Sequence, residues 1–149
     1  MQGICTSYAI DRAGALVKAH TDGMRRSPRD PYVTSLRTLG FSESAARRLA
    51  RYGTPIDVDA GVPLTTEGEL GAEAFLLVEG EAVVELADRE VVVGPGAVIG
   101  EIAALDPHAR RNATVRTASR CLVLVYDVQT FRSLAATDLR PVLVPDRAA

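Results

Sequence analysis

Sulfur and imidazole are scarce in this chain. Of 149 residues, two are cysteine (Cys5 and Cys121) and two are histidine (His20 and His108). Two cysteines are too few for a disulfide framework, and their spacing matches no metal site. Two histidines far apart leave little for a His-rich zinc or iron centre, so a metalloenzyme is not expected. Cys121 opens an apolar, strand-like run and is expected to be a small buried hydrophobe. Long apolar runs are also missing. A stretch such as Phe75-Leu76-Leu77-Val78 is short against the ~18 residues that cross a bilayer, so no membrane span is expected. Asp11 and Arg12 stand where a secretory leader needs an unbroken apolar stretch, and the sequence reads as cytoplasmic.

The remaining composition is ordinary: 47% hydrophobic, 24% charged, formal net charge −2. That usage belongs to a soluble globular chain and excludes disorder throughout, collagen and coiled coil. The length matches one domain at ~150 residues per domain. The small net charge hides an asymmetry, since residues 1–51 carry net +5 and the remainder −7. A basic arm can signal nucleic acid. These arginines, however, form no dense run, have no interleaved aromatics and lead into no zinc-finger spacing or paired-helix reader. They read as a solvated helical face, or as a surface that docks on the acidic remainder or on a partner.

Ile10, Ala13, Val17 and His20 fall at helical intervals, so a short amphipathic helix is expected over 10–20. Residues 25–31, Arg-Arg-Ser-Pro-Arg-Asp-Pro, read as a breaker-rich linker after which the folded body begins. Val33, Leu36 and Leu39 share a helical face that stops at Gly40. Ser42 can then cap a second helix with Ala45, Ala46, Leu49 and Tyr52 inward. From Thr54 the period changes. Short β-rich runs at 56–58, 62–65, 75–78, 82–86, 91–93, 114–117 and 122–126 are separated by turn signals such as Asp59-Ala60-Gly61, Glu79-Gly80 and Gly94-Pro95-Gly96. The expected fold is mainly β with flanking helices, an antiparallel jelly roll of about eight strands. Asp127 can cap a last helix carrying Val128, Phe131, Leu134 and Ala135. Pro141 and Pro145 are expected to leave the segment beyond Arg140 extended or disordered. The domain reading is therefore an extension over 1–31, a folded domain over 32–140 and a tail over 141–149.

One stretch, from Gly94 to Val115, interrupts the strand rhythm. Glycines at 94, 96 and 100 let backbone approach a ligand, Glu101 to Leu105 can form one helical turn with free N–H groups, and Arg110 and Arg111 follow. A carboxylate repels phosphate, so Glu101 fits beside an anion site only if it accepts hydrogen bonds from hydroxyls while an arginine forks onto the phosphate. A sugar phosphate offers both groups.

The run Ile99-Gly100-Glu101-Ile102-Ala103, followed by Arg111-Asn112-Ala113-Thr114-Val115, closely resembles the phosphate-binding cassette of cyclic-nucleotide-binding domains. Asp59-Ala60-Gly61, Glu67-Gly68, Phe75 to Glu81 and Gly94-Pro95-Gly96 resemble that family's β-roll turns in order, over about Leu36 to Leu134. The resemblance implies a cAMP or cGMP ligand, no further cofactor, and ligand-binding residues Gly100, Glu101, Ile102, Ala103, Arg111, Asn112, Ala113 and Thr114. Glu101 would accept the ribose 2′-hydroxyl and Arg111 would hold the exocyclic phosphate oxygens. Ala103 and Asn112 would add backbone N–H donors, and Gly100 would give clearance. Arg111 fits the family register, and Arg110 falls one position early. Asn112 departs from the small or hydroxyl residue common there and leaves cAMP against cGMP open.

The resemblance implies a stand-alone sensor or regulatory module without a catalytic centre, with cAMP as the favoured ligand and a second copy or an effector protein as its partner. A long dimer helix and helix-turn-helix would follow the roll in a transcription factor of this kind. Residues 131–149 hold neither pattern, so DNA binding by this chain is not expected, and the helix that usually covers the base is not expected either. The N-terminal segment 10–20, a second copy, or nothing at all would then cover it. The alternative is a roll that has lost its ligand, with Glu101 and Arg111 paired internally, serving as an interaction scaffold. A cupin-type enzyme on a similar roll would need several clustered metal ligands.

Overall fold

Phe75-Leu76-Leu77-Val78 is apolar at every position because its strand is covered on both faces. A computed structural model describes residues 23–106 and 108–144. In it, β4 (Glu73–Glu79) sends Ala74, Leu76 and Val78 toward a layer of helices, and Phe75 and Leu77 toward a second sheet. β9 (Cys121–Asp127) repeats the arrangement, with Leu124 and Tyr126 on the helical side and Cys121, Val123 and Val125 between the sheets. A strand buried twice needs apolar residues at both parities of the two-residue repeat.

These strands form the middle of a five-stranded antiparallel sheet with β1 (Met24–Arg26), β2 (Thr54–Val58) and β7 (Val98–Ile99), in the order β1-β2-β9-β4-β7. The second sheet has the order β3-β8-β5-β6, from β3 (Pro63–Thr65), β8 (Thr114–Thr117), β5 (Ala82–Glu85) and β6 (Glu90–Val93). Leu64, Ala82 and Val115 meet Ile56, Val58, Phe75 and Val123 in the core between them. Cys121 is fully buried there, as its apolar neighbours imply. The expected β-roll with flanking helices is the fold observed.

The helical layer is α1 (Asp30–Thr38), α2 (Glu43–Tyr52), α4 (Val128–Ala135) and α5 (Arg140–Leu143), packed on the outer face of the larger sheet. Ser42 Oγ accepts the Ala45 N–H at 3.1 Å, and the Asp127 carboxylate accepts the Thr130 N–H at 2.7 Å, so both expected caps are made. Two side chains expected inward are not. Tyr52 is 51% exposed, because α2 ends there and its buried stripe runs through Ala46, Leu49 and Ala50. Leu39 lies beyond the last residue of α1 and is 41% exposed, while Tyr32 and Leu36 anchor that helix.

Both ends of the body differ from expectation. The supposed linker over 25–31 begins inside β1, which pairs Met24 to Val58 and Arg26 to Ile56. Its arginines find partners that local reading does not show. Arg25 reaches Asp57 and Asp59, and Arg29 Nη1 donates to the carbonyls of Ala50, Arg51 and Gly53 at the end of α2. Pro31 sits in the first turn of α1, where a missing N–H leaves no helical bond unmade. The described residues beyond Arg140, through Val144, are not extended, since Pro141 is likewise in a first turn and Leu143 is fully buried against the helical layer. The packed body thus reaches past both 32 and 140. The helix expected over 10–20 lies outside the described residues. Among those described, no helix is long and apolar enough to cross a membrane.

Candidate functional site

β7 delivers the chain to Gly100, whose φ of +82° is the left-handed conformation that glycine adopts without penalty. The turn it makes starts α3 (Glu101–Leu105) and leaves Glu101 4% exposed on the wall of a cleft. Arg132 Nη2 donates to the Leu105 carbonyl at 3.0 Å and ties the end of α3 to α4. The chain then returns to Arg111, 7% exposed, whose N–H donates to the Glu69 carbonyl at 2.8 Å.

The Arg111 side chain is held from several directions. Nη2 donates to the Glu73 carbonyl at 2.9 Å, Nη1 to the Gly100 carbonyl at 3.2 Å, and the guanidinium carbon stands 5.9 Å from the centre of the Phe75 ring. Glu73 Oε1 lies 3.8 Å from Nη2. Burial pushes the Glu73 carboxyl up to about 7; Arg111 opposes that shift and Asp127 adds to it. Two glycines leave room for the guanidinium. A Cβ on Gly71 would stand 2.0 Å from Arg111 Cζ, and one on Gly100 2.3 Å from Nη1. Arg110 is exposed and donates to the Gly68 carbonyl at 2.9 Å, at the rim.

The cleft has a volume of about 280 Å³ and two chemically different ends. Glu101, Arg110, Arg111, Asn112 and Thr65 supply the polar lining, and Val84, Leu86, Val91, Val93 and Val98 supply an aliphatic wall from β5 and the residue after it, β6 and β7. Gly100, Ile102 and Ala113 also line it, so most of the residues expected at the site converge there. Ala103 lies within α3. Thr114 turns elsewhere, its Oγ1 accepting the Glu67 N–H at 3.0 Å. The aliphatic wall, Thr65, Gly71 and Glu73 were not anticipated. The one available hint was Val91-Val92-Val93, where an edge strand carries valine on both faces and Val92 is 62% exposed. Among the described residues, no group of three or more His, Cys, Asp or Glu is placed to hold a metal ion.

This geometry, a buried acid and a buried arginine beside a left-handed glycine at the mouth of a roll, agrees with the sequence comparison. The family model of the cyclic nucleotide-binding domain matches residues 55–138, and the chain belongs to that family. Among curated proteins it is similar to the Pycsar effector protein PaPycTIR of Pseudomonas aeruginosa, 37% identical over 95 residues, covering 63% of this chain and 31% of that protein. It is also similar to a cyclic nucleotide-gated potassium channel of Rhizobium etli, 32% identical over 99 residues, 65% of this chain and 27% of the channel. The chain thus spans less than a third of the length of either relative. Among solved structures, a cyclic nucleotide-binding domain from Methylobacillus flagellatus shares the fold at a TM-score of 0.66, with 20% identity over 85% of this chain and 79% of that one. The regulatory domain of Toxoplasma gondii PKA, solved with cAMP, aligns at a TM-score of 0.55 and 28% identity, over 70% of this chain and 43% of the other.

Proposed function

We propose that the domain is a sensor or regulatory module that binds a cyclic nucleotide in this cleft, favours cAMP over cGMP and has no catalytic step of its own. The observation that carries the reading is the placement of Glu101 and Arg111, both almost wholly buried, on the polar side of a cleft whose other wall is aliphatic. Arg111 has the fork geometry for two phosphate oxygens, and Glu101 can accept only from a hydroxyl or N–H. Gly100 and Asn112 bring backbone close to the same point. The base would lie against Val84, Leu86, Val91 and Val93, where the lining side chains offer no donor or acceptor. Guanine carries one more exocyclic polar group than adenine, and burying polar groups without partners is unfavourable, which supports the preference for adenine.

The relatives support a regulatory role, because in both the matched region is a small part of a longer protein. The output then lies with an effector protein or a second copy. A ligand-free interaction scaffold is the second reading. It is favoured by the partners Arg111 already has in Gly100 and Glu73. Calorimetric titration with cAMP, cGMP, cCMP and cUMP separates the two. The proposal expects saturable 1:1 binding, tightest for cAMP; absence of binding by all four at millimolar concentration would leave the scaffold.

A further inference from the structure

Glu73 stands beside Arg111 and lines a small recess that shares Arg111 and Thr65 with the larger cleft. It is 6% exposed and sits at the start of β4. Its carboxylate and its own carbonyl oxygen both address Arg111 Nη2, at 3.8 and 2.9 Å. The other ionisable groups around it come from each neighbouring element. Asp127 lies opposite Glu73 in the β4–β9 register, α3 brings Glu101, and Glu69 lines the same recess. β7 brings only Val98 and Ile99. Of the helices that pack on β4, α4 directs Arg132 to the Leu105 carbonyl, and α1 meets the strand's far end, where Ser35 donates to Glu79. Among the described residues, the buried Arg111 guanidinium therefore stands in a neighbourhood of carboxylates.

We infer that Glu73 is a proton-linked positioning residue for Arg111: its carboxylate and the ligand's phosphate compete for one guanidinium, so nucleotide binding is accompanied by proton uptake on Glu73. The inference rests on the cyclic-nucleotide reading of the cleft. With Glu73 ionised, the Glu73–Arg111 pair is already neutral, and a phosphate monoanion adds an uncompensated charge in a poorly solvated place. With Glu73 protonated, Arg111 and the phosphate form the neutral pair, while the carbonyls of Glu73 and Gly100 still hold the guanidinium in position. The proton comes from solvent and no bond other than O–H forms. The carboxyl of the unliganded chain titrates near neutrality because it is buried, so the competition falls within an accessible range. A nearby phosphate raises that value further. Affinity is then constant below the free-state value and falls as pH rises above it.

The test is calorimetric titration of cAMP into the full chain between about pH 6 and pH 8.5, in two buffers of different ionisation enthalpy so that protons are counted. Wild type is expected to take up as much as one proton per ligand and to weaken by roughly tenfold across that range, since one linked proton allows at most ~tenfold per pH unit. Glu73→Gln, of the same shape and uncharged, is expected to bind with a flat profile and no proton uptake. Retention of the wild-type slope by Glu73→Gln overturns the inference, as does a flat, proton-free wild-type profile. If the variant fails to fold, the wild-type slope and proton count decide alone. Failure of wild type to bind any of the four nucleotides at any pH overturns the nucleotide reading and the inference with it, whereas pH-independent binding overturns only the inference.

Discussion

Gly71 is the surface on which the Arg111 guanidinium rests: a Cβ there would stand 2.0 Å from Cζ and 2.1 Å from Nε. Residue 71 has no positive φ, so alanine meets no backbone obstacle. The atoms it would strike belong to one side chain and not to backbone, so the strain falls on Arg111, which cannot keep its place. Gly71→Ala is therefore expected to weaken cAMP binding by about one order of magnitude or more, with ~1 to 3 kcal/mol lost in stability because the displaced guanidinium leaves Glu73 buried without it. Titration calorimetry beside thermal melting checks both halves. Unchanged affinity would mean that Arg111 does not need this position to bind.

The adjacent arginines should separate cleanly. Arg111 is buried in the cleft wall, and Arg110 is exposed with its guanidinium on the Gly68 carbonyl. Loss of a charge-assisted phosphate contact costs ~1.5 to 3 kcal/mol, so Arg111→Ala should weaken binding roughly ten- to a hundredfold. Arg110→Ala should change it about twofold or less. The reverse order would place the phosphate at the rim.

Glu101 gives a chemical discriminator. If its carboxylate accepts the ribose 2′-hydroxyl, Glu101→Ala weakens cAMP by ~1.5 to 3 kcal/mol and hardly changes 2′-deoxy-cAMP. Equal losses for both ligands in competition assays would show that Glu101 supports the cleft without touching the sugar.

Seven of the nine strands among the described residues, the caps at Ser42 and Asp127, and the Glu101-to-Arg111 interval were legible because each depends on residues close in sequence. What was not legible depends on partners far along the chain. Arg25 looks like linker until Asp57 and Asp59 are seen across β1 and β2. Pro141 looks like a terminator until Leu143 is seen filling the core beside Phe131 and Leu134. The cassette carries its polar groups within a few residues, but its aliphatic wall comes from β5 and β6, whose valines read as ordinary strand. Glu73 was invisible as a site residue, because a charge next to an apolar run marks a strand end as well as it marks a buried counter-ion.

Asp57 ties β1 to the sheet, and it sets an acid limit on stability. Arg120 donates to it through Nε at 2.9 Å and Nη2 at 2.5 Å, and Arg25 lies at 3.3 Å. The Arg120 hydrogen bonds hold its carboxyl below the usual aspartate range; burial opposes them and Arg25 assists. A lowered folded value contributes stability above the ordinary aspartate pKa that is lost as pH falls through the folded one. Asp57→Asn is expected to cost of order 1 kcal/mol at neutral pH and to lose part of that difference as pH falls below the ordinary aspartate value. Denaturant melts at pH 7 and pH 3 measure it, and an equal deficit at both would assign the cost to packing instead of charge.

Amide NMR during titration with cAMP reports where the ligand sits as well as whether it binds, and so decides whether Glu101 and Arg111 line a nucleotide site. The account predicts saturable shifts at Gly100 to Ala103 and at Arg111 to Ala113, together with Val91 and Val93 on the aliphatic wall. A second cleft between α1 and α2, lined by Arg29, Arg47, Arg48 and Arg51, supplies the control, since it is basic enough to attract a phosphate without recognising a nucleoside. Shifts confined to that cleft, or no shifts at millimolar cAMP, would contradict the account.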